Sequence, residues 1–164
     1  MVAALRLEVT GVVETFELPE DYPRQRQVLR ALLSGAVDGS VYHRRALIHV
    51  HGQGSFSPAR QLNVAAWALA STWRGTELPY GLYGTAVVTG PNRSGGGSHA
   101  LDDDLVQEVQ EVSAAVADVL TTWQVTPPHA EAAARNAVRA GVQLRRSHPR
   151  CIASPGWRPG GALR

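Results

Sequence analysis

Two histidines, two glutamines, an arginine and an asparagine fall within the fifteen-residue segment HVHGQGSFSPARQLN, which starts at residue 49. His49 and His51 are two residues apart, so on a strand both imidazoles lie on the same face. The GQG sequence that follows is typical of a turn, and Asn63 is a favourable N-cap for the apolar segment after it. Free N–H groups at a helix start attract anions, and Arg60 could pair with a phosphate. We therefore predict a site for a phosphate-bearing ligand or nucleotide at this hairpin/helix corner, formed by His49, His51, Gln53, Arg60 and Asn63, with Tyr83 and Thr85 as walls.

The same two histidines leave a second interpretation open, in which His49 and His51 belong to a metal-dependent enzyme. A stable metal site needs a third or fourth ligand, and the nearest candidates are His43 and the distant carboxylates of residues 102–104. The chain has no G-x-S-x-G, H-E-x-x-H or C-x-x-C motif, and Cys151 lies among Pro, Gly and Arg residues rather than in an electropositive niche. We therefore assign no catalytic residue, metal or cofactor, and an enzyme is the less favoured class.

The charges are distributed unevenly along the chain. Residues 1–134 contain nine arginines and fourteen acidic side chains, whereas residues 135–164 contain seven arginines and no acid. Such a segment attracts phosphate backbones or an acidic protein surface, with an affinity that falls as salt rises. No recognisable nucleic-acid-binding motif accompanies it, so a solubilising arm is the competing interpretation. The predicted contact residues are Arg135, Arg139, Arg145, Arg146, Arg150 and Arg158.

Composition also bears on the source and compartment of the protein. All sixteen basic side chains are arginine and none is lysine, a bias typical of a GC-rich, for example actinobacterial, genome. A single cysteine fits a reducing compartment. The N-terminal segment lacks the pattern of a signal peptide, and no apolar run approaches the ~18 residues of a membrane span. We expect a cytoplasmic protein with no membrane partner.

Hydrophobic periodicity predicts a small α/β domain over residues 1–92. We expect a strand over 4–16 with a bulge or bend at Gly11, and a β-rich segment over 41–50 whose hairpin loop leads into a short strand at 55–56. The spacing of apolar residues predicts helices over 24–34 and 64–73. A continuous apolar run over 82–89 is typical of a strand buried on both faces.

The rest of the chain divides by composition into three parts. Residues 93–101 are rich in Gly and Ser and predict a linker or loop, and residues 102–146 predict a helical pair. The first of these helices begins at three aspartates, and the apolar face of the second is expected to hold Ala133, Ala137, Val138 and Leu144. Residues 147–164 show no periodicity and predict a disordered basic tail. The fold class is therefore α/β (α+β), a small mixed or antiparallel sheet of about three to five strands covered by helices, with two C-terminal helices.

The order of several short motifs resembles that of a known family. GAVD at 35–38, HGQGSF after the hairpin, NVAA at 63–66 and LYGTAVVTG at 82–90 follow one another as in a family of small phage- and plasmid-borne proteins that is catalogued as a domain of unknown function. The match covers residues 3–92 and implies an α/β domain encoded by a mobile element, without an assigned activity. We accordingly expect a non-enzymatic accessory protein of a phage, plasmid or other mobile element, able to form a homo-oligomer.

Overall fold

Five strands form one antiparallel sheet in the computed structural model, which describes residues 1–57 and 60–147. The strands are β1 (Val2–Leu7), β2 (Val13–Leu18), β3 (Val37–His43), β4 (Ala46–His51) and β5 (Ala86–Thr89), and their order in the sheet is β2-β1-β5-β4-β3. The helices are α1 (Tyr22–Leu33), α2 (Val64–Arg74), α3 (Asp103–Val125) and α4 (Glu131–Ser147), with a 3₁₀ turn at Gly54–Phe56. The predicted α+β class, with an antiparallel sheet and two C-terminal helices, is confirmed.

Helices cover both faces of the sheet and divide the core into two clusters. On one face α1 packs through Leu29 and Leu33 against side chains that include Val87 of β5. On the other face α2, α3 and α4 bury the larger cluster, which includes Val88 of the same strand. All four residues of β5 are buried, which confirms the predicted doubly covered strand, although it begins at Ala86 rather than at residue 82.

The predicted single strand over residues 4–16 is wrong, because β1 and β2 form a hairpin. The chain reverses at Gly11, which has φ +85°, and the Glu8 N–H donates to the Val12 carbonyl at 2.9 Å across the turn. Apolar and polar residues alternate on both sides of this reversal, so the pattern alone did not reveal it. A left-handed glycine at the centre of an alternating run is the signal for the turn.

The predicted short strand at residues 55–56 is also wrong. The hairpin turn of this region lies between His43 and Ala46, and β4 then runs through His51 to the 3₁₀ turn. The GQG sequence therefore ends β4 instead of joining two strands. Glycines fit both roles, and the choice depends on the pairing of β3 with β4.

The helix ends lie within two residues of the predictions. Asp21 caps α1 by accepting from the Arg24 N–H at 3.1 Å, and Ser34 ends the helix in a left-handed conformation, φ 58°.

The predicted apolar face of α4 is wrong, because the buried residues of that helix are Val138 and Val142, whereas Leu144 is 64% exposed. Of the predicted set only Val138 faces the core, where it meets α3 and α2.

The segment before α3 is a closed turn fixed to the sheet. Asn92 and Ser98 form a β-bridge, and the Leu101 N–H donates to the Ala3 carbonyl at 3.3 Å. Arg45, in the β3–β4 turn, then pairs with Asp102 at 2.8 Å and with Asp104 at 2.5 Å, which holds the start of α3. Among the described residues, none of the helices has the length and apolar character required to cross a membrane.

Candidate functional site

A cleft of about 600 Å³ opens beside α2, between the loop that follows this helix and the junction of α3 and α4. We call it the aromatic cleft, since four of its lining side chains are Trp67, Tyr80, Tyr83 and Trp123. Most of the others are apolar, namely Leu62, Val64, Leu78, Pro79, Ala134 and Val138. Small-molecule sites are typically concave, lined by apolar and aromatic side chains, and roughly 300–1,000 Å³ in volume. The aromatic cleft has both the size and the lining of such a site.

The loop wall of the aromatic cleft is fixed by hydrogen bonds to α2. The Trp67 indole N–H donates to the Leu78 carbonyl at 3.0 Å, and the Leu78 N–H donates to the Ser71 hydroxyl at 3.1 Å. Further along the loop, the Leu82 carbonyl accepts from the Asn63 N–H at 2.7 Å. The indole ring is therefore held in place by the protein itself, an arrangement that would reduce the entropy cost of binding a ligand.

Glycines allow close packing at the mouth of the aromatic cleft. A Cβ added at Gly81 would lie 2.7 Å from Leu62 Cδ1 and 3.0 Å from the Tyr83 ring, and one added at Gly54 would lie 3.2 Å from Tyr83 Cβ. Neither position can carry a side chain without moving these neighbours. Tyr83 consequently packs against backbone on two sides.

Ion pairs hold the helical wall of the aromatic cleft against the loop. One carboxylate oxygen of Glu77 lies 2.9 Å from Arg135 Nε, and the other lies 3.6 Å from Arg139. Arg135 also pairs with Glu131 one turn earlier, at 3.1 Å. These arginines belong to α4 and Glu77 belongs to the loop, so the pairs set the width of the cleft.

A second cleft of about 260 Å³ adjoins the first and has a polar lining. We call it the polar pocket, and it shares Ser55, Tyr80, Gly81 and Tyr83 with the aromatic cleft. Its other polar side chains are Asp38, Ser40 and Tyr42 of β3 and His51 of β4. A ligand that filled both clefts would have its apolar part among the tryptophans and its polar end near β3.

Two tyrosine hydroxyls meet in the polar pocket. The Tyr42 and Tyr80 oxygens are 3.1 Å apart, and burial, together with this hydrogen bond, raises the pKa of Tyr42 to about 12. Both causes favour the protonated phenol. The Tyr42 hydroxyl is therefore a hydrogen-bond donor at neutral pH and not a source of negative charge. The guanidinium of Arg74 lies 5.7 Å from the centre of the Tyr42 ring.

His49, a predicted ligand-binding residue, lies on the α1 side of the sheet, away from the polar pocket. Its side chain is 6% exposed, and Nε2 lies 2.9 Å from the Thr89 hydroxyl oxygen. The Thr89 hydroxyl donates to the Gly90 carbonyl at 3.0 Å, so His49 Nε2 is the donor in the first bond. Burial lowers the pKa of His49 to about 4, and the charge of Asp38 acts weakly in the opposite direction. His49 is neutral at pH 7.

Asn63 is fully buried, and its side chain is occupied by backbone partners. Its Oδ1 accepts from the Ala66 N–H at 2.9 Å, while its Nδ2 donates to the carbonyls of Leu7 at 3.0 Å and Gly84 at 2.9 Å. These bonds cap α2 and join the helix start to β1 and to the loop before β5. The predicted N-cap is confirmed, while the role of Asn63 in binding a ligand stays a prediction.

Arg60 is directed toward the end of α1. Its guanidinium donates to the carbonyls of Leu33 at 3.3 Å and Ser34 at 3.4 Å, where the helix dipole favours a cation. A phosphate contact would require these bonds to be exchanged. The arrangement therefore does not bring Arg60 and Asn63 together around an open anion site.

The remaining members of the predicted site are divided between the polar pocket and the body. His51 Nδ1 accepts from the Gln53 N–H at 3.0 Å, and His51 and Tyr83 both line the polar pocket. Thr85 donates to Glu8 at 3.0 Å. His51 and Tyr83 are thus the predicted residues that share a cavity.

The structure does not join the histidines into a recognisable catalytic or metal centre. One nitrogen of each ring is occupied, by the Thr89 hydroxyl for His49 and by the Gln53 N–H for His51. Within residues 1–57 and 60–147 there is no group of three His, Cys, Asp or Glu side chains that could hold a metal ion. The metal-dependent interpretation stays an untested prediction.

Four of the predicted basic contact residues take part in ion pairs with the body. Arg135 and Arg139 pair with Glu77, Arg145 lies 2.7 Å from Asp118, and Arg146 lies 2.9 Å from Glu108. These carboxylates offset the positive field of α4. Arg150 and Arg158 lie outside the described residues, as does nearly all of the predicted tail.

Sequence reasoning missed most of the aromatic cleft. Trp67 and Trp123 fit helical apolar stripes, and Tyr80 lies in a segment, ELPYG, that reads as a turn. Asp38 and Tyr42 are ordinary strand residues in the sequence. The available signal was the density of aromatic residues on both sides of Gly81, in PYGLYG, since turns rarely need two tyrosines.

Comparisons with known proteins add no relative. No family model matches the chain, and neither a curated protein nor a solved structure matches it. The resemblance of residues 3–92 to the phage and plasmid family stays a prediction, and the function is argued from the site alone.

Proposed function

We propose that this chain is a non-enzymatic binding protein that holds a small molecule in the aromatic cleft, with the polar end of the molecule in the polar pocket. The observation that carries the proposal is a preformed apolar cleft of about 600 Å³ with two tryptophans and two tyrosines in its lining. Rigid aromatic side chains give a large contact area at a low cost in conformational entropy.

The electrostatics of the joined clefts favour an apolar ligand over the phosphate-bearing ligand expected from the sequence. The polar pocket contains the carboxylate of Asp38, and the arginine of the aromatic cleft, Arg135, is paired with Glu77 and Glu131. Arg60 is bound to carbonyls at the end of α1. A phosphate would meet one repelling charge and no unpaired arginine among the described lining residues.

A neutral fluorescent probe tests the proposal directly. N-Phenyl-1-naphthylamine is uncharged at pH 7, is small enough for the cleft, and becomes bright in apolar surroundings. We expect saturable binding with one probe per chain. Native mass spectrometry of protein from its own host would show any resident molecule as extra mass that is lost on denaturation.

A pair of substitutions on α4 makes this test specific. Ala134 lines the aromatic cleft, so Ala134→Trp should fill it and weaken probe binding at least about tenfold. Ala133 is exposed on the same helix, and Ala133→Trp is the matched control that should bind like the wild type. Equal affinities in the two variants, or no saturable binding by the wild type, would refute the proposal.

A further inference from the structure

The polar pocket contains an acidic side chain that its own surroundings do not neutralise. Asp38 belongs to β3, lies opposite Val50 of β4, and is exposed to the pocket. None of the ion pairs among the described residues involves Asp38. A carboxylate in a concave site, without a cationic partner among residues 1–57 and 60–147, leaves an acceptor for a positively charged ligand group.

Aromatic rings line the same pocket as this carboxylate. Tyr42, Tyr80 and Tyr83 line the same pocket as Asp38, and tyrosine rings attract ammonium groups through their negative faces. The Tyr42 ring already faces the guanidinium of Arg74, which is not among the lining residues of either cleft. The rings of Tyr80 and Tyr83 are therefore the ones available to a ligand, and both also line the aromatic cleft.

The charges of the joined site favour a cation over an anion. Apart from His51, its ionisable lining residues at neutral pH are Asp38, Glu131 and Arg135. Since Glu131 and Arg135 pair at 3.1 Å, the charge of Asp38 is the one that remains. A carboxylate or phosphate on the ligand would be repelled there, whereas a protonated amine would be attracted.

We propose that the ligand of this chain is an amphiphilic amine, with its aromatic or apolar body in the aromatic cleft beside Trp123 and its ammonium group at Asp38 in the polar pocket. This inference rests on the proposed binding function, and it adds the chemical class of the molecule. Binding involves no covalent step.

Three compounds with one body and different ends test the amine. These are 4-phenylbutylamine, 4-phenylbutan-1-ol and 4-phenylbutyrate, which are cationic, neutral and anionic at pH 7, and each is titrated against bound N-phenyl-1-naphthylamine. We expect the amine to displace the probe at about tenfold lower concentration than the alcohol, because its ammonium group adds a partly exposed ion pair with Asp38 and a cation–π contact with a tyrosine ring. The anion should be the weakest, and added salt should reduce the advantage of the amine.

The variant Asp38→Asn tests whether Asp38 causes the preference for the amine over the alcohol. This variant should lower the affinity for the amine to that for the alcohol, while the neutral probe, which also reports a folded cleft, binds unchanged. Glu17→Gln is the control, because Glu17 is an exposed carboxylate of β2 that lines neither cleft, and this variant should keep the preference for the amine.

The outcomes separate the two proposals. If the wild type binds the probe but the amine and the alcohol displace it equally, the amine inference is wrong and the binding function stands. An amine preference that persists in Asp38→Asn also overturns the inference. If neither the probe nor the three compounds bind, as measured by heteronuclear NMR, both proposals are wrong.

Discussion

Acidification should destabilise this protein through His49. This histidine is buried, and its pKa is lowered to about 4 from an ordinary value of 6.5. The unfolded chain therefore binds a proton at a pH where the folded chain does not. Stability is at its full value above pH 6.5 and is lost as the pH falls from 6.5 toward 4.

The two pKa values give the size of the loss. With 6.5 for the unfolded state and about 4 for the folded state, linkage predicts a fall of about 2 kcal/mol between pH 7 and pH 5. About 1 kcal/mol more is lost between pH 5 and pH 4. A total of about 3 kcal/mol is a large share of the stability of a single domain.

Urea unfolding measured by circular dichroism at pH 7, 6, 5 and 4 would test this, with His49→Gln as the comparison. The variant has no titrating imidazole at position 49, so carboxylates that protonate in the same range cancel in the difference between the two proteins. The stability advantage of the wild type over the variant should shrink by about 2 kcal/mol from pH 7 to pH 5. An advantage that stays constant over this range would refute the reasoning.

Two further predictions concern Asn63, whose side chain bonds three backbone groups, and Gly90, where there is no space for a side chain. Asn63→Ala should reduce the free energy of unfolding by about 3 kcal/mol, because it removes the α2 cap and leaves the Leu7 and Gly84 carbonyls without their side-chain donor. Asn63→Ser keeps an uncharged cap acceptor and should cost less, and equal losses in urea unfolding would contradict this. Gly90→Ala should cost at least about 2 kcal/mol, because the new Cβ would lie 2.2 Å from the Ala100 carbonyl oxygen, which cannot rotate away. Gly75→Ala is its control, because no atom lies within 4 Å of a Cβ added there and only the left-handed φ of +69° opposes the methyl group. If Gly75→Ala unfolds at a lower temperature than Gly90→Ala, the explanation by contact with Ala100 is wrong.

The elements that the sequence predicts well are those with local signals. The cap at Asn63, the glycine after α2 and the apolar run of β5 each depend on a few neighbouring residues, and each is found in the structure. The first hairpin was missed because its two strands share one alternating pattern, so that only the pairing of β1 with β2 distinguishes them from one strand. The exposed side of α4 was misjudged because alanine occurs on every face of that helix.

The site was harder to predict than the fold. His49 lies beneath α1, whereas His51 lines the polar pocket, and the burial of His49 depends on which face of the sheet that helix covers. The aromatic cleft joins residues from α2, the loop after it, α3 and α4, and Val64 and Val138 in its lining are 74 positions apart. No local sequence pattern predicts that these residues lie together, because their proximity depends on how the helices pack against one another.

The attachment of α4 bears on how the aromatic cleft would exchange the ligand that we propose for it. This helix buries only Val138 and Val142 and is otherwise held by partly exposed ion pairs, so its local free energy of opening is small compared with that of the sheet. Because α4 forms one wall, its release and the opening of the cleft are the same event, without a separate lid. A molecule bound as we propose would contact both α3 and α4, and its binding would be measurable as slower amide hydrogen exchange along α4.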